Sequence, residues 1–133
     1  MLRKSITAAA LALSVSPSAT YANDPFIGTV QTFAFNFCPR GWLPADGRLI
    51  SISENTTLFS LLGTFYGGDG RTTFALPDLR GRAAIGQGTA AGGLNYDIGR
   101  VVPGHGASAS ASVPGHVAVT TCVAINGIYP SRS

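Results

Sequence analysis

The stretch over residues 67–82 limits this chain more than any other. It reads Gly67-Gly68-Asp69-Gly70-Arg71-Thr72-Thr73-Phe74-Ala75-Leu76-Pro77-Asp78-Leu79-Arg80-Gly81-Arg82. The glycine cluster opens the left-handed region of backbone space at almost no steric cost. A short β-favouring run, Thr72-Thr73-Phe74, follows. Leu76 is then held extended by the proline after it, and Pro77-Asp78 turns the chain. Arg80-Gly81-Arg82 sets two long cations around a further hinge. No nucleophile stands here with a base beside it. The pattern predicts a tightly turned structural loop in which Gly67, Gly68, Asp69, Gly70, Pro77, Asp78 and Gly81 shape the backbone. Arg71, Asp78 and Arg80 are expected to be held in hydrogen bonds. The rival reading is a contact to phosphate or glycan.

Residues 1–22 read as a separate element. Arg3 and Lys4 precede a short apolar run rich in Ala and Leu, and Thr20-Tyr21-Ala22 supplies small residues at the minus-three and minus-one positions. This is the pattern of a secretory signal peptide cleaved after Ala22. The apolar run is broken by Ser14, Ser16 and Pro17 and falls short of the ~20 residues a spanning helix needs. The sequence therefore predicts export, no membrane span after cleavage, and one domain over residues 23–133. It places the protein in the medium, the periplasm or at the cell surface.

Removing Arg3 and Lys4 leaves seven basic residues against six acids, so the formal charge falls from +3 to +1. That balance removes the compositional case for a nucleic-acid partner. All the remaining cations are arginines, which suit fixed, bidentate pairing. Cys38 and Cys122 are the only cysteines, and an even count in an oxidising compartment predicts one disulfide. Two buried thiols that never meet are the alternative.

In chain order, residues 27–37 read as a strand, with Phe33, Phe35 and Phe37 alternating against Ala34 and Asn36. Pro39-Arg40-Gly41 turns the chain, and Trp42-Leu43 anchors the loop in the core or, if Trp42 is exposed, grips a sugar ring. Asp46-Gly47 marks a tight turn before a second strand over residues 49–52. Leu58, Leu61 and Leu62 carry helical spacing; Ser53 or Asn55 is the expected cap and Gly63 the stop. Ala83-Ala84-Ile85 reads as a brief strand. Residues 86–115 are rich in Gly, Ala and Ser, with little apolar surface to offset ordering, and are expected to be mobile. Residues 117–125 close the fold as a β-branched strand, and Gly127-Ile128-Tyr129-Pro130 ends it.

The central run also carries a resemblance. Together with Glu54-Asn55-Thr56-Thr57-Leu58-Phe59-Ser60-Leu61-Leu62-Gly63-Thr64-Phe65-Tyr66, it resembles the phage tail-collar domain family, and within it the bacterial microcystin-dependent proteins. Pro25-Phe26-Ile27-Gly28, Pro39-Arg40-Gly41-Trp42 with Asp46-Gly47, and Gly127-Ile128-Tyr129-Pro130-Ser131-Arg132 match as well. The resemblance is dense over residues 24–86 and returns in the last ten or so. It implies a small α+β fold, mostly β, with short strands, one short helix and long glycine-rich loops. It also implies a structural or attachment role. Members often carry a cysteine where Ala45 stands, so the family lends the Cys38–Cys122 pair no support. Phage tails assemble in the cytoplasm, so a signal peptide points to a host-encoded relative of the family.

Chemistry-bearing motifs are few. Gly86-Gln87-Gly88-Thr89-Ala90-Ala91 fits the loose dinucleotide pattern, but no helix follows it. Gly106-Ala107-Ser108-Ala109-Ser110 misses the nucleophile elbow at its last position, which leaves a hydrolase as a remote alternative. His105 and His116 are the only histidines and follow Pro-Gly in both cases. Two imidazoles are too few for a zinc site in one chain, though an oligomer would gather enough. The family often has Pro-Ser-His-x-His; here Gly106-Ala107 follows His105 and Val117-Ala118 follows His116. Four of the six acids adjoin Gly or Pro; they read as turn formers, and their spacing suggests no acid/base pair.

These readings predict a non-catalytic structural or adhesion module without a cofactor. It would assemble with itself or with another surface protein. The alternative is a monomeric carbohydrate- or receptor-binding module, with Trp42, Tyr66 and Tyr96 lining a groove beside Arg71 or Arg80.

Overall fold

The computed structural model describes residues 23–102 and 115–133. Residues 1–22, expected to be a signal peptide, His105 and the elbow-like Gly106–Ser110 run lie outside the described residues. The described chain is mostly β with one short helix: β1 (Val30–Phe33), β2 (Trp42–Pro44), β3 (Leu49–Ser51), α1 (Thr56–Leu62), β4 (Thr73–Ala75), β5 (Gly88–Thr89), β6 (Asn95–Tyr96) and β7 (Thr120–Ala124).

The last strand organises the first two. β7 lies between β1 and β2 and is antiparallel to both, with Val123 opposite Val30 on one side and Leu43 on the other. β3 and β4 form a second antiparallel pair that sets Ile50 opposite Phe74, and β5 and β6 form a small hairpin. The segment before β1 meets the segment after β7 as well. Phe26 bridges Ile128 in parallel, with the Ile27 N–H donating to the Ile128 carbonyl at 2.9 Å and the Ile128 N–H to that of Pro25 at 2.9 Å.

The core sits where these pieces face one another. Leu58 of the helix, Phe74 and Leu76 of the central run, Val123 of β7 and Ala45 are buried together, with Leu43, Ile50, Phe59 and Leu62 packed around them. Burying a side chain of this size contributes about 2 kcal/mol, so each of these four larger residues is a substantial share of a small domain's stability. Phe59 and Phe74 meet at 5.3 Å between ring centroids, which fixes the helix against β4.

The helix runs as its leucine spacing requires. Gly63 ends it at φ 50°, donating its N–H to the Phe59 carbonyl at 2.8 Å. Asn55 occupies the N-cap position but makes no side-chain cap; its Nδ2 donates to the Ser51 carbonyl at 3.0 Å instead.

Several expected boundaries shift, each for want of a partner. The strand expected over 27–37 is paired only over Val30–Phe33, because β7 starts at Thr120 opposite Phe33. For the same reason the closing strand shortens to Thr120–Ala124, and Val117 stands 87% exposed. Ala83-Ala84-Ile85 forms no strand, and among the described residues no strand pairs with it. Trp42 and Leu43 lie in β2 rather than in a loop. Within the glycine-rich region, β5 and β6 place a small exposed hairpin.

The disulfide is present. Cys38, just beyond β1, is bonded to Cys122 in the middle of β7. Cys122 is completely buried, and the bridge ties the loop after β1 to the strand beside it.

Candidate functional site

The glycine loop is folded around one carboxylate. Asp69 Oδ1 accepts the backbone N–H groups of Arg71, Thr72 and Thr73, each at 2.8 Å, and Oδ2 accepts the Thr72 hydroxyl at 2.6 Å. The Thr72 hydroxyl, and then these amides, hold the Asp69 carboxyl well below the usual carboxylate range. Gly67, Gly68 and Gly70 supply the positive φ angles that bend the chain back onto β4, where the Ala75 N–H reaches the Gly67 carbonyl at 3.0 Å. The loop's own acid thus occupies the donors that an external phosphate would need. Arg71, expected in hydrogen bonds, is exposed, and its guanidinium has no partner among the described residues.

The Pro77-Asp78 turn carries the other half of the arrangement. Asp78 accepts Arg80 through Nε at 2.9 Å and Nη2 at 3.2 Å, and Arg82 Nη1 at 2.9 Å. The Arg80 side chain, followed by Arg82, holds the Asp78 carboxyl far below its ordinary value. Asp46 and Arg48 repeat the geometry, with Nε at 3.0 Å and Nη2 at 2.8 Å, and Arg48 lowers the Asp46 carboxyl. The two Asp-x-Arg forks face each other across the Asp46–Asp78 bridge, closed by the Leu79 N–H on the Ala45 carbonyl at 2.9 Å. Arg48 was not singled out from sequence. The repeat Asp46-Gly47-Arg48 and Asp78-Leu79-Arg80 was the signal that could have found it.

Two depressions flank this paired turn. One, of about 480 Å³, is lined by Tyr66 and Tyr96 with Asp78, Arg82, Arg100 and the apolar side chains of Ile85, Ile98, Val101 and Val102. Arg100 Nη1 donates to the Asn95 carbonyl at its rim. The other, of about 860 Å³, is lined by Asp46, Arg80, Arg82, His116 and Val117. Of the five aromatic and arginine candidates, Tyr66 and Tyr96 therefore share a cavity, and Arg80 faces the other depression. Arg71 lines neither. Trp42 is half-buried in β2, edge-on to Phe33 at 5.5 Å, away from both. Among the described residues no three His, Cys, Asp or Glu side chains gather in a metal-binding group.

The described chain is thus a small β-rich fold braced by two carboxylate–arginine forks and a self-capped glycine loop. The family model for the Phage Tail Collar Domain matches residues 28–84 of the chain. The family is a structural one and is not known as an enzyme family. A search of curated proteins found no match to the chain.

Proposed function

We propose that this protein is an exported structural or adhesion module of tail-collar type, which assembles with itself or with another surface protein. The observation that carries this reading is the apolar surface left open beside the braced turn. Ile85, Ile98, Val101 and Val102 line one depression and are all exposed, Ile85 by 62%. Monomeric proteins seldom leave such a contiguous apolar patch uncovered. Export is supported by the signal-like N-terminus and by the Cys38–Cys122 disulfide, which suits an oxidising compartment. No described helix is long and apolar enough to cross a membrane.

A carbohydrate-binding reading draws on one observation, the pair Tyr66 and Tyr96 in a cavity with arginines at its wall. One experiment separates the two. The double variant Ile85→Asp with Ile98→Asp, both at exposed positions, disperses an assembly while leaving the fold intact. If the wild-type chain does not associate and instead binds glycans in a manner lost with Tyr66→Ala and Tyr96→Ala, the binding-module reading replaces this one.

A further inference from the structure

β1 is an edge strand. It pairs with β7 on one side, and the order β1-β7-β2 leaves its other side without a neighbour among the described residues. The alternation of the ladder says which groups are left over. The Ala124 N–H donates to the Thr29 carbonyl at 2.9 Å, so Gln31 and Phe33 turn their backbone groups toward β7, while Val30 and Thr32 turn theirs outward. Among the described residues no backbone group receives those two amides.

Exposed edges are ordinarily blunted by charge, proline or a bulge. From Thr29 to Cys38 the chain reads Thr-Val-Gln-Thr-Phe-Ala-Phe-Asn-Phe-Cys, with neither a charged residue nor a proline. The opposite edge differs: β2 ends in Pro44, which has no N–H to offer, and Arg40 and Arg48 flank it. The sheet thus has one open edge and one closed edge. The uncharged run continues past β1 in the rings of Phe33, Phe35 and Phe37, in series at 5.0 and 4.6 Å, with Phe35 and Phe37 exposed to solvent. Val30 also lines the smaller cavity with Ile85 and Ile98, so the edge runs directly into the exposed apolar surface.

We propose that the β1 edge is a strand-pairing site for a second copy of this chain, which joins antiparallel through its own β1 about a two-fold axis. The proposal rests on the self-assembly reading above and says where the copies meet. A neutral edge meets its own copy without like-charge repulsion. The Pro44 edge of the three-stranded sheet does not propagate, so pairing through β1 gives a closed dimer rather than a fibre. Strand pairing alone covers far less than the ~1,200 Å² of a stable interface; the apolar surface continuous with Val30 supplies the remainder.

Thr32→Pro tests the pairing directly, because it deletes an outward N–H that the β7 ladder does not use, and proline is tolerated at such edge positions. Gln31→Lys is the companion variant, setting like charges together at the seam while leaving the backbone unchanged. The full chain, expressed with its own N-terminal segment, is compared with both variants by light scattering and by amide exchange over residues 29–37. The urea midpoint of each variant reports whether its fold is retained. The expected result is a wild-type dimer with slow exchange at Val30 and Thr32 that becomes fast on dilution, and a mass halved in both variants. A wild-type assembly unchanged by either variant places the contact elsewhere and overturns the proposal while leaving self-assembly standing. A three-fold assembly overturns it as well, since three edges cannot pair about one two-fold axis. A wild-type monomer at every concentration overturns both readings. Protection of Val30 and Thr32 in a monomer by a foreign peptide overturns the choice of occupant.

Discussion

Gly68→Ala examines the loop that closes the core. Gly68 lies at φ +95°, and a Cβ there would stand 2.7 Å from the Thr73 carbonyl oxygen and 2.9 Å from the Phe74 nitrogen, with the Phe74 Cα nearer still. These are backbone atoms of β4, and Phe74 is completely buried, so no flexible side chain can yield. The left-handed conformation costs an alanine about 1–2 kcal/mol, and overpacking a well-filled site adds about 1–3 kcal/mol. The expected loss is therefore ~2–5 kcal/mol, a large part of the 5–15 kcal/mol typical of a small domain. Gly81→Ala is the matched control: Gly81 lies at φ +63° with nothing within 4 Å of its added Cβ, so only the conformational cost of ~1–2 kcal/mol remains. Urea unfolding of both variants under oxidising conditions reads the difference as a midpoint shift at constant slope. A Gly68→Ala variant no less stable than Gly81→Ala would refute the packing argument, and with it the view that this loop is locked onto β4.

The remaining predictions concern the bridge and the carboxylates. Cys38 and Cys122 are separated by 84 residues. The chain-entropy model gives their link ~4.5 kcal/mol, so replacing both with alanine should lower the urea midpoint by about 2 M for a slope of about 2 kcal/mol/M; an unchanged midpoint would contradict this. Asp46, Asp69 and Asp78 all have carboxyls lowered in the folded state. Their contribution is thus present above the unfolded value of about 4 and is lost as pH falls below it. Stability measured from pH 7 to pH 2 should drop below about pH 4, with a smaller drop in Asp69→Asn; an identical drop in that variant would remove Asp69 from the account.

What was legible in the sequence was local. The Leu58, Leu61 and Leu62 spacing and Gly63 identify the helix, because periodicity and caps act within a few residues. The turn role of Pro77-Asp78 follows from backbone preference alone. Pairing across the chain was less legible. Nothing in Trp42-Leu43-Pro44 announces that it will lie beside Thr120–Ala124, so it reads as a loop. The alternation of Phe33, Phe35 and Phe37 signals a strand, yet only a partner decides where that strand stops. The Asp46–Arg48 fork escaped notice because its meaning comes from Asp78–Arg80 across the bridge. The candidate site suffered most: Tyr66 and Tyr96 share a cavity only because residues 96–102 return past the turn, a path that glycine-rich sequence leaves open.

Sedimentation velocity of the wild-type chain across a hundredfold range of concentration shows whether the protein assembles with itself. The account predicts a defined associated species that dissociates on dilution, without added ligand or metal. A single monomeric boundary at every concentration would contradict it.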